Sequence, residues 1–208
     1  MKGYKVIFWD FDGVIKDSVN IKTFAYYSLF EKFGKDIASK VKFHHLKNGG
    51  MSRFKKFPIY LEMAGIDTSK KNIEQYCNMF GDLVYDEVIR CPWIQGAKEY
   101  LLENKYKQIF ILVTATPQNE INKILEALKI DKCFLKIFGA PTTKIDAISG
   151  VINEYRYDTK ECLMVGDSSA DLDAAKVNKI EFLLRKHEFN KALLNKFNLN
   201  YLDNFLFV

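Results

Sequence analysis

Hydrophobic residues are spaced in two different ways along the chain, and the change of spacing predicts two kinds of structure. A β-branched and aromatic run at residues 4–9 predicts a buried strand, which ends before residues 10–13 (Asp-Phe-Asp-Gly). From about residue 20 to residue 90, apolar residues recur at helical spacing, which predicts a small helical bundle. Two predicted helix faces comprise Ile21, Phe24, Ala25 and Leu29, and Ile73, Tyr76, Cys77, Phe80, Val84 and Val88.

After Pro92 the predicted strands and helices alternate. The strands are residues 109–113, 134–138, 162–165 and 180–184, and the helices are residues 97–104, 117–128, 143–155 and 169–177. This alternation predicts an α/β fold, with a mostly parallel sheet that helices cover on both faces. Because one strand precedes the helical bundle, we predict a core of residues 1–16 and 92–208 and an inserted helical-bundle domain of residues 17–91.

The composition is that of an ordinary globular protein, with 48% hydrophobic and 27% charged residues. The net charge is +5, but the 31 basic residues are spread among 26 acidic ones, so a nucleic-acid partner is not expected. No apolar run approaches the ~18 residues of a membrane span and no secretory segment follows Met1, so a soluble, cytoplasmic protein is expected. The four cysteines are scattered, which argues against a zinc site or a disulfide framework.

Polar residues follow several predicted strands at the point where each strand ends. They are Asp10, Asp12, Thr114, Lys144, Asp167 and Asp171. Ligands of open α/β sheets bind at the carboxyl ends of the strands, so these side chains are expected to converge. Two like charges ~4 Å apart repel by about 4 kcal/mol at an effective dielectric of ~20, so gathered carboxylates require a cation. A site with oxygen ligands only, and with a small number of them, favours Mg²⁺.

Four motifs in this order resemble the haloacid dehalogenase (HAD) superfamily. They are D-F-D-G at residues 10–13, V-T at residues 113–114, Lys144, and G-D-S-S-A-D at residues 166–171. The resemblance implies a Rossmann-like core with a helical C1 cap inserted between the first and second motifs. Within the superfamily, the second aspartate of D-x-D is typical of phosphatases and phosphomutases. The cap type resembles that of phosphoglycolate phosphatase and β-phosphoglucomutase.

The resemblance also implies catalytic roles. Asp10 would be the nucleophile that forms an aspartyl-phosphate, and Asp12 the general acid and base. Thr114, its neighbour Ala115 through the backbone, and Lys144 would bind the phosphate oxygens and neutralise their charge.

The implied metal site uses carboxylates from two motifs. Asp10, Asp167 and the backbone carbonyl of Asp12 would bind Mg²⁺. Asp171 would bind it through water or orient Lys144.

The basic segment of residues 43–53 is the expected substrate contact in the cap. Gly50, the second of a glycine pair, leaves backbone amides accessible to an anion, and Arg53 suits bidentate binding of phosphate or carboxylate. The same segment also suits a solvated basic face. His187 has no evident partner and is expected on the surface.

These inferences predict a Mg²⁺-dependent phosphatase that hydrolyses a small phosphomonoester, of phosphoglycolate or sugar phosphate type, through an aspartyl-phosphate. The expected partner is a small phosphorylated metabolite, with no nucleic acid or membrane, and the expected state is a monomer or weak dimer. A phosphomutase of the β-phosphoglucomutase type remains open, as does a catalytically idle binding protein on the same fold.

Overall fold

Six strands form a single parallel sheet in the computed structural model, which describes residues 1–208. The strands are β1 (Val6–Trp9), β2 (Ile109–Pro117), β3 (Lys136–Ala140), β4 (Cys162–Gly166), β5 (Glu181–Arg185) and β6 (Tyr201–Leu202). The helices are α1 (Val19–Glu31), α2 (Lys35–Lys47), α3 (Arg53–Met63), α4 (Lys70–Arg90), α5 (Ala97–Glu103), α6 (Gln118–Leu128), α7 (Lys144–Tyr155), α8 (Ser169–Asn178) and α9 (Lys191–Phe197). None of these helices combines the length and the apolar character needed to span a membrane.

The order of strands places β1 in the middle of the sheet. The order is β3-β2-β1-β4-β5-β6, and Val6 is in register with Ile109 of β2 on one side and Cys162 of β4 on the other. The chain therefore changes direction across the sheet at β1, and the carboxyl ends of β1, β2 and β4 border the crevice in which ligands of such sheets bind. This arrangement confirms the predicted α/β fold with a Rossmann-like parallel sheet.

Alternate residues of β1 pack on opposite faces of the sheet. Val6 and Phe8 lie against α7 and α8, whereas Ile7 and Trp9 lie on the face that α5 and α6 cover. All four residues are fully buried, which explains the continuous apolar run of this strand in the sequence.

The helices α1–α4 lie between β1 and β2 in the chain and form a bundle, which we call the cap. Aromatic side chains fill its interior, with the rings of Tyr26 and Phe80 4.1 Å apart between centroids. The predicted buried face of α1 was wrong at Phe24, which is 71% exposed. Ala25 and Leu29 of the predicted face are buried, together with Tyr26 and Phe30, so the buried face is shifted away from Phe24 toward Tyr26 and Phe30.

The two connections between the cap and the sheet run side by side. The Asp17 amide donates a hydrogen bond to the Pro92 carbonyl at 2.9 Å, and the Ile94 amide donates to Ile15 at 3.0 Å. Lys16, which is buried, donates through its ammonium to the carbonyl of Ile89 at 2.9 Å. The division into a core of residues 1–16 and 92–208 and a cap domain of residues 17–91 stays a prediction.

Candidate active site

Three carboxylates meet at the carboxyl edge of the sheet. Asp10 follows β1, Asp167 follows β4, and Asp171 lies in the first turn of α8. One carboxylate oxygen of each lies within 4.8 Å of the others. The sheet topology brings them together because β1 and β4 are adjacent parallel strands.

Asp10 is buried, with 4% of its surface exposed. Its Oδ1 accepts a hydrogen bond from the Phe11 amide at 2.7 Å, and its Oδ2 lies 2.8 Å from the Lys144 ammonium. Burial raises the pKa of Asp10 well above its ordinary value, and the charges of Asp171 and Asp167 raise it further, against the effect of Lys144. The site therefore disfavours a charged Asp10 unless a further cation is present.

Lys144 is the first residue of α7 and joins Asp10 to Asp171. Its ammonium lies 2.5 Å from Oδ1 of Asp171. Burial alone lowers the pKa of Lys144, but the two carboxylates outweigh it and the pKa is raised. Oδ2 of Asp171 accepts hydrogen bonds from the Ser168 hydroxyl and amide, at 2.6 and 3.0 Å. Protein donors thus occupy both oxygens of Asp171, which suits a residue that orients Lys144.

Asp12 lies apart from this carboxylate cluster and has its own set of donors. Its Oδ1 accepts a hydrogen bond from the Ser18 hydroxyl at 2.6 Å. Its Oδ2 accepts a hydrogen bond from the Thr116 hydroxyl at 3.1 Å and forms an ion pair with Lys22. Burial raises the pKa of Asp12, but the Lys22 charge and these hydrogen bonds outweigh it and lower the pKa. The carboxylate is therefore held in its ionised form.

Sequence reasoning did not identify Lys22 or Thr116 as site residues. Lys22 lies in α1 of the cap, and its ammonium also donates to the Thr116 hydroxyl at 2.9 Å. No motif marks it. Its position in the first turn of the helix that follows D-F-D-G is the one available signal.

Thr114 and its neighbours lie at the end of β2, which runs four residues beyond its predicted end, to Pro117. Thr114 is buried, and its hydroxyl accepts a hydrogen bond from the amide of Thr116 at 3.2 Å. Ala115 and Thr116 face the space in front of the carboxylates, whereas Thr114 does not line it.

His187 contacts Asp167, so the expectation of a surface histidine without a partner was wrong. Its Nε2 lies 3.0 Å from Oδ2 of Asp167, and its Nδ1 accepts the amide of Phe189 at 3.2 Å. This pairing assigns the proton of a neutral ring to Nε2, which donates to the carboxylate. The Asn190 side chain donates to the Asp167 carbonyl at 2.9 Å, so two residues after β5 fix the position of Asp167.

A cavity of about 690 Å³ separates the cap from this edge of the sheet. Asp10, Asp12 and Asp167 line it from the sheet, and Lys22 and Lys56 are among the cap residues that line it. Negative side chains thus face positive ones across a space of the size that holds small ligands in proteins.

A sequence model described as haloacid dehalogenase-like hydrolase matches residues 6–184, which is most of the chain. The chain belongs to this family. The match confirms the family indicated by the four motifs, and it covers the cap together with strands β1–β4 and most of β5. The protein is therefore a hydrolase, in agreement with the phosphoric monoester hydrolase expected from the sequence.

Relatives of this hydrolase include proteins named as phosphatases. A phosphorylated carbohydrates phosphatase of Thermotoga maritima is 26% identical over 201 residues, covering 91% of this chain and 90% of the relative. The structure of a predicted phosphoglycolate phosphatase from Haemophilus somnus has a TM-score of 0.74 at 20% identity, covering 99% and 96% of the two chains. CbbY from Rhodobacter sphaeroides, in complex with phosphate, has a TM-score of 0.74 at 14% identity, covering 97% and 95%.

Gly50, in the cap segment of residues 43–53, packs closely against the loop after β4. This glycine has a φ of +79°, and a Cβ there would lie 2.5 Å from the Ser168 hydroxyl oxygen. A side chain would therefore strain the backbone and push the segment away from the loop after β4. Gly50 lines the cavity, and its role as a substrate contact stays a prediction.

Arg53 also borders the cavity, but its guanidinium is engaged by the protein. It binds Glu120 of α6 through two hydrogen bonds, of 2.8 and 2.7 Å. The bidentate carboxylate contact expected of Arg53 is thus made to a residue of the sheet domain, and this ion pair joins the cap to the sheet.

Proposed function

We propose that this hydrolase is a Mg²⁺-dependent phosphatase that hydrolyses a small phosphomonoester, of the phosphoglycolate or sugar phosphate type, through an aspartyl-phosphate on Asp10. The observation that carries the proposal is the position of Asp10. It lies in the floor of a ligand-sized cavity, with one oxygen 2.8 Å from Lys144 and two further carboxylates within 4.8 Å. Relatives named as phosphatases support it.

The chemistry of the donor set fits Mg²⁺. Carboxylate oxygens are hard ligands, and the raised pKa values of Asp10 and Asp167 reflect buried charges that a cation would offset. Asp10, Asp167 and the carbonyl of Asp12 would hold the ion directly. Asp171, whose oxygens already accept protein hydrogen bonds, would act through water or through Lys144. When bound, the ion would neutralise phosphate charge and orient the phosphate toward Asp10.

The proposed reaction consists of two transfers of the phosphoryl group, first to Asp10 and then to water. A carboxylate oxygen of Asp10 attacks phosphorus while the bond from phosphorus to the ester oxygen breaks, and Asp12 gives its proton to the leaving alkoxide. Water then attacks the aspartyl-phosphate and transfers a proton to Asp12, which releases phosphate and restores both aspartates. Lys144 and the backbone at Ala115 would stabilise the negative charge of the phosphoryl oxygens.

The donors around Asp12 favour its role in the second transfer. Its lowered pKa keeps Asp12 in the ionised form, the only form that can accept a proton from water, whereas the first transfer requires a protonated Asp12. A phosphate dianion that enters beside Asp10 offers Lys22 a competing anion. This competition weakens the hold of Lys22 on Asp12 and makes protonation less costly.

Phosphate release from a panel of phosphomonoesters, with and without Mg²⁺, tests this proposal. Release should require Mg²⁺, disappear in Asp10→Asn, and persist in Asp36→Asn, which changes an exposed aspartate of α2. Release that survives Asp10→Asn would contradict the proposal. Stable labelling of Asp10 with little net release would favour the phosphomutase. The cytoplasmic location, the absence of a nucleic-acid partner and the monomeric or weakly dimeric state stay predictions.

A further inference from the structure

Lys56 of α3 is a buried lysine that faces the cavity without an acidic partner. Its residue is 2% exposed, yet it lines the cavity. Its ammonium contacts Nδ1 of His45 at 2.9 Å and lies 5.5 Å from the centre of the Tyr26 ring. No carboxylate lies within 4.0 Å of it. One of its three N–H donors is thus used and two remain for a ligand.

The surroundings of Lys56 make its charge costly. Burial and, to a smaller extent, the charge of Lys22 lower the pKa of Lys56 to about 7, although the charges of Asp12 and Asp167 act in the opposite direction. Burial and the Lys56 charge also lower the pKa of His45 well below its ordinary value. A neutral His45 accepts one proton of Lys56 but supplies no negative charge. An anion in the cavity would supply it.

We propose that Lys56, positioned by His45, forms a subsite in the cap that binds a second anionic group of the substrate, a carboxylate or a second phosphate. This inference rests on the proposed function, since the first phosphate is assigned to Asp10 and Mg²⁺. It identifies the substrate class as phosphomonoesters that carry a second anionic group.

The distribution of charge in the cavity supports a single ligand that spans both ends. The carboxylates of Asp10 and Asp167 belong to the sheet, whereas Lys56 and His45 belong to the cap. A second charge on the same molecule completes the pairing at the cap end and ties the two parts of the protein together.

Calorimetric binding to Asp10→Asn protein with Mg²⁺ present tests the subsite without turnover. One probe pair is 2-phosphoglycolate and its carboxamide, and the other is fructose 1,6-bisphosphate and fructose 6-phosphate. A buried hydrogen bond to a charged group predicts that, in at least one pair, the member with two anionic groups binds about tenfold to a hundredfold more tightly. The pair that shows this preference identifies the second group as carboxylate or phosphate.

Lys56→Met, added to Asp10→Asn, should reduce this preference to about onefold, and Lys55→Met, an exposed neighbour on the same helix, should leave it intact. His45→Gln provides a second variant, which should reduce the preference partly. No preference in either pair, or a preference unchanged in Lys56→Met, would overturn the inference. If the wild type hydrolyses the probes that carry only the phosphate group, and Asp10→Asn protein shows no binding preference in either pair, the phosphatase stands and the subsite alone is rejected.

Discussion

The ion pair between Arg53 and Glu120 predicts a measurable coupling between the cap and the sheet. The side chains are 5% and 14% exposed, and two hydrogen bonds of 2.8 and 2.7 Å join them. Arg53 also donates to the Cys77 carbonyl at 3.3 Å, and its guanidinium lies 4.6 Å from the centre of the Phe80 ring. The perturbation is a cycle of Arg53→Met, Glu120→Met and the double variant.

The magnitude follows from the charge that each single variant leaves behind. Removing one partner of a buried pair costs about 3–5 kcal/mol of unfolding free energy, because the other charge stays buried and unpaired. Glu120→Met leaves Arg53, the more buried partner, and should cost the upper part of this range. Arg53→Met leaves Glu120 in the first turn of α6, where the helix N-terminus stabilises a negative charge, and should cost less. The double variant should cost about 2 kcal/mol less than the sum.

Urea unfolding of the four proteins measures this coupling. A parallel cycle on Asp86 and Arg90 is the control, since that pair is 3.9 Å apart and largely exposed and should couple by less than about 0.5 kcal/mol. Both single variants of the buried pair should also raise KM, because each loosens the cap. A coupling below about 0.5 kcal/mol would refute the reasoning. A higher KM in Arg53→Met with a lower KM in Glu120→Met would instead identify Arg53 as a substrate ligand.

Three further changes test particular contacts. Gly13→Ala should lower the urea unfolding free energy by more than about 1 kcal/mol, because φ is +72° and the new Cβ would lie 2.3 Å from Oδ2 of Asp167; an unchanged value would contradict this. His187→Ala should weaken Mg²⁺ binding by about tenfold to a hundredfold in a calorimetric titration, since it removes the donor that orients Asp167, and unaltered affinity would exclude that role. Lys56 should make the unfolding free energy rise with pH between about 7 and about 10, because the unfolded chain binds the proton that the folded chain has lost. Urea unfolding of the wild type and Lys56→Met across this range should show the rise only in the wild type, and parallel curves would count against the lowered pKa.

The sheet could be predicted from the sequence where strands are buried on both faces. Residues 4–9 form a continuous apolar run because β1 is covered by helices on each side. The strand β6 (Tyr201–Leu202) has two residues, too few to form a pattern, and α9 has no buried residue that would give it an apolar stripe. The error at Phe24 has a different cause, since several rotations of α1 place apolar residues toward the bundle.

The motif residues could be located because strand ends are visible in the sequence and parallel strands end at the same edge. This reasoning places Asp10 and Asp167 together without any knowledge of the helices between them. It says nothing about Lys22 or His187, which reach the aspartates from the cap and from the loop after β5. Contacts of this kind depend on how separate elements pack, and no spacing in the chain encodes that packing.

Lys55 and Lys56 show how much of the candidate site depends on helix phase. Both follow closely after the basic segment of residues 43–53, and the sequence alone suggests a solvated face for each. In α3, however, Lys56 shares the buried face with Phe57 and Tyr60, whereas Lys55 is exposed. A charged side chain on the buried face of a helix loses its hydration, which is unfavourable. Arg53 also lies on the buried face of α3, and its ion pair with Glu120 offsets this loss. Lys56 has no such pair and faces the cavity. The buried charge of Arg53 is therefore compensated by the protein itself, whereas the buried charge of Lys56 is left to be compensated by a ligand.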